Sequence, residues 1–357
     1  MKKHNFGAGP SIMPQEVFEQ AAQACVEYEN IGLSLLEISH RSKEFDAIME
    51  EMVSLIRELL KVPNDYEILF IQGGANMQFA MVPYNLLPSD GKACYLETGV
   101  WAAKAEAEAR LYGQTEVVAS SKESGFNFIP KQYTIDKQAA YFHITSNNTI
   151  YGTELFQDID SPVPLVADMS SDIFSRPVDV SKYALIYAGA QKNLGIAGIT
   201  LVIVRKDMLG KNVRSMSSMW NYDVYAKNNS LYNTPPVFAI YTCLLTLRWL
   251  KKLGGLTEME VRNKEKADLL YTEIDRNPLF RGHSVVEDRS RMNITFVAEN
   301  PEDETAFLDF VKPYQIHGIK GYRTVGGFRA SCYNALPIDS VRVLVNAMQE
   351  FELSKLY

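Results

Sequence analysis

Between Tyr66 and Val204 the chain alternates short apolar runs with stretches of helical periodicity, and no other feature constrains its fold as tightly. Runs at about Tyr66–Ile71, Ala93–Leu96, Glu116–Ala119, Ala140–Thr145, Leu165–Ala167, Ala184–Tyr187 and Ile199–Val204 read as strands. Helical patterns near 76–86 and 101–111 separate the first of them. Most of these strands are near-continuously apolar, which predicts burial on both faces. A mostly parallel sheet covered by helices on either side, an α/β fold, meets that demand.

The flanks read differently. Residues 7–14, Gly-Ala-Gly-Pro-Ser-Ile-Met-Pro, form a rigid, turn-rich lead-in. Helices are expected from Gln15 to about Tyr28 and from Ser42 to Lys61, the second with Phe45, Ile48, Met52, Leu55, Ile56 and Leu59 at helical spacing and Pro63 as its stop. After Pro235-Pro236 the pattern changes to long helices at about 237–253 and 257–276, a strand near Met292–Val297, a helix at Glu302–Phe310, a short strand near Phe328–Cys332 and a helix at 339–354. These signals predict a large domain over residues 15–255 and a smaller C-terminal α+β domain over 256–357, with residues 1–14 as an N-terminal segment associated with the smaller domain.

Composition excludes several classes. Net charge is −7, with no basic tail and no basic patch interleaved with aromatics, so nucleic acid is not the expected partner. No run approaches 18 apolar residues, so no membrane span is expected. The start, Met1-Lys2-Lys3-His4-Asn5-Phe6-Gly7, has lysines without an apolar stretch behind them and does not read as a signal peptide. Cys25, Cys94, Cys243 and Cys332 are far apart, in apolar surroundings, at neither metal nor redox spacing. They are expected as buried small hydrophobes in a reducing cytoplasm. The five histidines form no HxxxH-type pair, so no metal site is predicted.

Three polar signals stand just past predicted strands: Gly73-Gly74 after Tyr66–Ile71, Asp168 after Val163–Ala167, and Lys192 after Tyr183–Ala188. If those strands are parallel, all three gather at their carboxyl ends, where open α/β sheets bind ligands. Gly73-Gly74-Ala75-Asn76 is either an ordinary tight turn or a helix start whose free N–H groups hold a phosphate. It is not GxGxxG, and Gly189-Ala190-Gln191-Lys192-Asn193 is not GxxxxGK[ST]. Asp168 is either a cap or a carboxylate that keeps a pyridine nitrogen protonated. Lys192 is either a snorkelling surface lysine or an amine of lowered pKa that forms an imine, a role arginine cannot fill.

At this level of detail the chain resembles the phosphoserine aminotransferase family, from Asn5-Phe6-Gly7-Ala8-Gly9-Pro10 to its end. The most specific pieces are Ser39-His40-Arg41-Ser42, Gly73-Gly74-Ala75, Ala167-Asp168-Met169-Ser170-Ser171, Tyr187-Ala188-Gly189-Ala190-Gln191-Lys192-Asn193, Leu231-Tyr232-Asn233-Thr234-Pro235-Pro236 and Gly326-Gly327-Phe328-Arg329-Ala330-Ser331. The resemblance implies the fold of the type I enzymes dependent on pyridoxal 5'-phosphate (PLP), with a mostly parallel seven-stranded sheet in the large domain. It implies Lys192 as the Schiff-base lysine, Asp168 as partner of the pyridine nitrogen, Trp101 stacked on the ring and Thr149 reaching the ring oxygen. Gly74, Ala75 and Gln191 resemble ligands of the cofactor phosphate. Asn233 and Thr234 resemble further phosphate ligands given by the other subunit of a homodimer with shared sites.

His40, Arg41, Arg323 and Arg329 resemble the substrate anion set, with His40 and Arg41 also crossing from the neighbour and Arg329 on the α-carboxylate. The implied reaction is 3-phosphohydroxypyruvate plus L-glutamate giving O-phospho-L-serine plus 2-oxoglutarate. Bacterial members also act on a phosphorylated hydroxythreonine intermediate of pyridoxine synthesis. In one place the chain departs: bacterial members often carry histidine before the arginine matching Arg323, and here that residue is Tyr322. Tyrosine donates one hydrogen bond but carries no positive charge, which shifts phosphate binding toward Arg323, Arg41 and His40. Competing readings are an alanine–glyoxylate or serine–pyruvate type aminotransferase, a desulfurase with Cys332 as the only candidate cysteine, and a non-catalytic structural homologue.

Overall fold

The structure is a computed structural model and describes residues 3–211, 214, 215 and 217–356. Its centre is a seven-stranded sheet built from β1 (Tyr66–Gln72), β2 (Lys92–Glu97), β3 (Gln114–Ser120), β4 (Tyr141–Thr145), β5 (Leu165–Asp168), β6 (Leu185–Gly189) and β7 (Ile199–Arg205). Their order across the sheet is β1-β7-β6-β5-β4-β2-β3. Only β7 is antiparallel to its neighbours. It reverses direction between β6 and β1, so those two strands point the same way. The carboxyl ends of β1, β5 and β6 therefore lie along one edge.

Strand alternation feeds two cores. Ile68, Phe70, Phe142, Ile144, Leu165, Ala167, Ile186, Ala188, Leu201 and Ile203 face one side. There they meet α1 (Gln15–Val26), α2 (Lys43–Leu60) and, from later in the chain, the helix Val237–Lys252. Leu69, Ile71, Tyr95, Tyr141, Val166, Leu185, Tyr187, Val202 and Val204 face the other side, under α3 (Gly74–Leu86), α4 (Val100–Ala109) and α5 (Tyr222–Lys227). A strand that is apolar at successive positions is thus satisfied on both faces.

Helix boundaries follow their caps. Ser42 Oγ accepts from Phe45 N at 3.3 Å and opens α2, and Lys61 closes it in the left-handed region. Helix α3 begins at Gly74, two residues before the expected start, because Gly73 turns the chain at φ 101°. Cys94, Cys243 and Cys332 are buried, but Cys25 is only half-buried, since it lies on a helix edge rather than under the sheet.

After α6 (Val237–Lys252) and α7 (Gly255–Arg276) comes a second, three-stranded sheet of β8 (Phe280–Gly282), β9 (Asn293–Ala298) and β10 (Phe328–Ser331), order β8-β9-β10 and antiparallel throughout. With α8 (Glu302–Phe310) and α9 (Ile338–Ser354) it encloses its own core, in which Phe280, Phe296, Phe307, Phe328 and Phe351 pack ring against ring. Phe6 belongs to that core, and His4–Asn5 pairs in parallel with Ile316–His317. No described helix is long and apolar enough to cross a membrane.

Candidate active site

At the shared strand edge lies a cleft of about 450 Å³. Gly73, Gly74, Ala75 and Asn76 form its floor. Gly73 caps α3 and the other three open its first turn, which carries no acidic side chain to compete for the free N–H groups there. A Cβ on Gly74 would meet nothing within 4 Å, so the glycine answers a backbone need, φ 69°, rather than a lack of room.

Asp168 closes β5. Its Oδ1 accepts from Ser170 N at 2.9 Å. Burial pushes its carboxyl above the usual range, while hydrogen bonds from Ser170, the charge of Lys192 and the Tyr187 hydroxyl pull it back. A cation in the cleft would offset that burial.

Lys192 stands three residues beyond β6 in a turn tied at both ends. Ala190 N donates to Ile199 O at 3.1 Å, Gly195 N to Ala190 O at 2.7 Å, and Ser11 Oγ to Lys192 O at 2.6 Å. Gly195 lies so close to α6 that a Cβ there would be 2.6 Å from Cys243 Sγ and 3.3 Å from its Cα. The lysine Nζ donates to Thr149 Oγ1 at 2.7 Å. Burial lowers its pKa to about 8; Arg329 acts in the same direction, and Asp168 and Asp172 act against it.

Thr149 sits in the tight turn between Asn147–Asn148 and Thr153–Glu154, and its carbonyl accepts from Arg329 Nη1 at 3.2 Å. One residue thereby holds both the amine and the guanidinium. Arg329 lies on β10, half-buried, and its Nε has no partner. Trp101, in the first turn of α4, lines the wall with its buried Nε1 also unpartnered. Gln191 and Tyr322 also line the cleft.

The cleft brings together Gly74, Ala75, Trp101, Thr149, Asp168, Gln191, Lys192, Tyr322 and Arg329. Five expected residues are elsewhere in this single chain. His40 and Thr234 line a separate groove beside Pro235 and Pro236. Gln72 Nε2 donates to Thr234 O at 2.9 Å, and Asn233 neighbours it. Arg41 and Arg323 are exposed. The lining also includes Ala8, Gly9, Phe79, Asn147, Ser170 and Ser171, which sequence reasoning does not single out as site residues. Ala8, Gly9, Ser170 and Ser171 lie inside the motifs that carry the family resemblance. Asn147 had no signal beyond being a polar residue at a strand end.

The family model described as Aminotransferase class-V matches residues 3–344. The chain belongs to the class-V aminotransferases. A phosphoserine aminotransferase of Bacteroides fragilis is 58% identical over 354 residues, 99% of each chain. Among solved structures, the phosphoserine aminotransferase of Bacillus circulans subsp. alkalophilus superposes with TM-score 0.97 at 45% identity, covering 99% of each chain. The PLP-bound enzyme of Trichomonas vaginalis gives 0.94 at 39% identity, covering 98% of this chain and all of that one. The donor set of this class-V cleft fits pyridoxal phosphate: an amine of lowered pKa, a buried carboxylate, an indole wall and a helix N-terminus for the phosphate.

Proposed function

We propose that the chain is a phosphoserine aminotransferase that moves an amino group reversibly between L-glutamate and 3-phosphohydroxypyruvate, giving O-phospho-L-serine and 2-oxoglutarate. The observation that carries this is Lys192, an amine with its pKa lowered to about 8, held between Thr149, Asp168 and Arg329 at the mouth of the sheet. Bound pyridoxal phosphate supplies the aldehyde and the electron sink. Lys192 would anchor it, and its neutral amine would be the group placed to take a proton from the substrate α-carbon and give it back. Asp168 would be the partner of a protonated ring nitrogen. Trp101 would pack against the ring and Thr149 would serve the ring oxygen. Gly74, Ala75 and Gln191 would receive the phosphate. Arg329, with a free Nε, takes the α-carboxylate in a bidentate grip.

The distal anion, phosphate in one substrate and carboxylate in the other, falls to Arg323, Tyr322, His40 and Arg41. In this reading His40, Arg41, Asn233 and Thr234 serve the site of a second copy in a cytoplasmic homodimer. Their position outside this chain's own cleft, with His40 Nε2 buried and unpartnered, supports that assignment. The phosphorylated hydroxythreonine intermediate is a further candidate substrate. The division into residues 1–14, 15–255 and 256–357 is supported by the separate phenylalanine-rich core and by Phe6 within it.

The test is a set of half-reactions. The holoenzyme is mixed separately with phosphoserine, glutamate, serine and alanine, and conversion of the cofactor absorbance is followed. Phosphoserine and glutamate are expected to convert it, and serine and alanine to lag far behind. Equal rates for serine and phosphoserine would replace this reading with a non-phosphorylated substrate.

A further inference from the structure

Three tyrosines and a histidine lie in the sheet directly behind Asp168, and the cleft chemistry makes no use of them. Tyr187 pairs with Asp168 across the parallel β5–β6 ladder, so the two side chains share a face. His143, on β4, is paired with Val166, two residues before Asp168, and therefore faces the same way. Its Nε2 is 2.9 Å from the Tyr187 hydroxyl. The Tyr187 hydroxyl in turn is one of the groups that stabilise ionised Asp168. Behind them Tyr95 stacks on the imidazole at 5.0 Å, and Tyr95 and Tyr141 join hydroxyls at 2.6 Å. All of these residues are buried.

The direction of this chain follows from what each group can donate. An ionised carboxylate only accepts, so toward Asp168, on its own face of the sheet, the Tyr187 hydroxyl can act only as a donor, and its oxygen must then accept from His143. His143 is then the tautomer with hydrogen on Nε2. Its Nδ1 is bare, and this is the ring nitrogen that has no partner. Leaving an acceptor unpaired there costs less than stranding a donor. Burial holds the imidazole neutral, with its pKa driven down to about 3. The relay is thus a fixed dipole rather than a charge. It can bias the carboxylate without competing for its proton partner in the cleft.

We propose that His143 and Tyr187 are positioning residues for amino transfer: by donating in series into Asp168 they keep that buried carboxylate ionised and aimed at the ring nitrogen of the cofactor. The proposal rests on the reading of Asp168 as partner of that nitrogen. It explains why a histidine and a tyrosine with a shared hydroxyl contact occupy buried positions in the middle of the main sheet.

The experiment compares equilibrium binding of two cofactors to the stripped full-length protein, read by absorbance and by quenching of tryptophan fluorescence. One is pyridoxal phosphate; the other is its carbocyclic analogue, with C–H in place of the ring nitrogen. The wild-type protein is expected to prefer the natural cofactor. Tyr187→Phe should shrink that preference about tenfold, the size of one lost hydrogen bond to a charged group. His143→Phe should shrink it about threefold, and His143→Gln, which keeps a donor, should restore most of it. If Tyr187→Phe weakens both cofactors equally, the relay acts only as packing and the proposal is overturned. Equal affinities in the wild-type protein would overturn the assignment of Asp168 itself, and the relay with it. Should Tyr187→Phe not fold, the two His143 variants decide on the same ratio.

Discussion

In the cofactor-free protein, the reactivity of Lys192 as a function of pH measures the environment of the cleft directly. Burial and the nearby Arg329 bring its pKa from 10.5 to about 8. At pH 8 about half of its amines are then neutral, against about 0.3% of an ordinary lysine, a difference of roughly 150-fold in nucleophilic form. Reductive methylation over a pH series, with the Lys192 peptide quantified by mass spectrometry, should show a midpoint near 8. Asp168→Asn should move it down, because the carboxylate favours the ammonium; Arg329→Gln should move it up, because the guanidinium opposes it. The same shift has a stability consequence. The folded pKa lies below the unfolded one, so the unfolded chain holds the extra proton between them. This group therefore makes the cofactor-free protein more stable as pH rises from about 8 to 10.5, by roughly 3 kcal/mol over that window. A midpoint at or above 10, or shifts of the opposite sign in the two variants, would refute the account of the amine as buried and cation-flanked.

Gly195→Ala forces a Cβ into Cys243 and should lower stability by about 1–3 kcal/mol in thermal unfolding, with part of the loss recovered in the double variant with Cys243→Ala. Arg176→Gln leaves the buried Glu154 without the guanidinium 3.8 Å away and should cost about 3–5 kcal/mol in urea unfolding. Burial already raises the pKa of Glu154 to about 7 and Arg176 opposes that rise, so part of the loss should appear as proton uptake on folding near neutral pH.

The sheet was readable because all its strands except the edge strand β3 are largely buried, and a double-faced strand leaves an apolar run that needs no partner to be recognised. Asp168 and Lys192 were readable for the complementary reason: each is a charge set just past such a run. Other features left no comparable trace. The start of α3 depends on the backbone of Gly73, which carries no hydrophobic signal. Strand β8 is three residues long, too short for periodicity, and α5, at six residues, is under two helical turns. His143 and Tyr187 sit within apolar strands and look like core until the register sets them behind Asp168. Asn147, which joins Ser171 to Asn293 across the two sheets, is visible only once residues 146 positions apart are in contact. Resemblance named His40, Arg41, Asn233 and Thr234, but no property of one chain brings them to its own cleft.

The pairing of residues 4–5 with 316–317 sets an order on biosynthesis. Ala8 and Gly9 wall the cleft, and the Ala8 carbonyl is held by the hydroxyl of Tyr333 at 2.9 Å. The partners that seat this lip leave the ribosome more than three hundred residues after it does. A nascent chain can therefore form its main sheet, with Asp168 and Lys192 in register, while the rim above them is still open. The wall of the cleft is complete only when residues 316–333 arrive to hold the beginning in place.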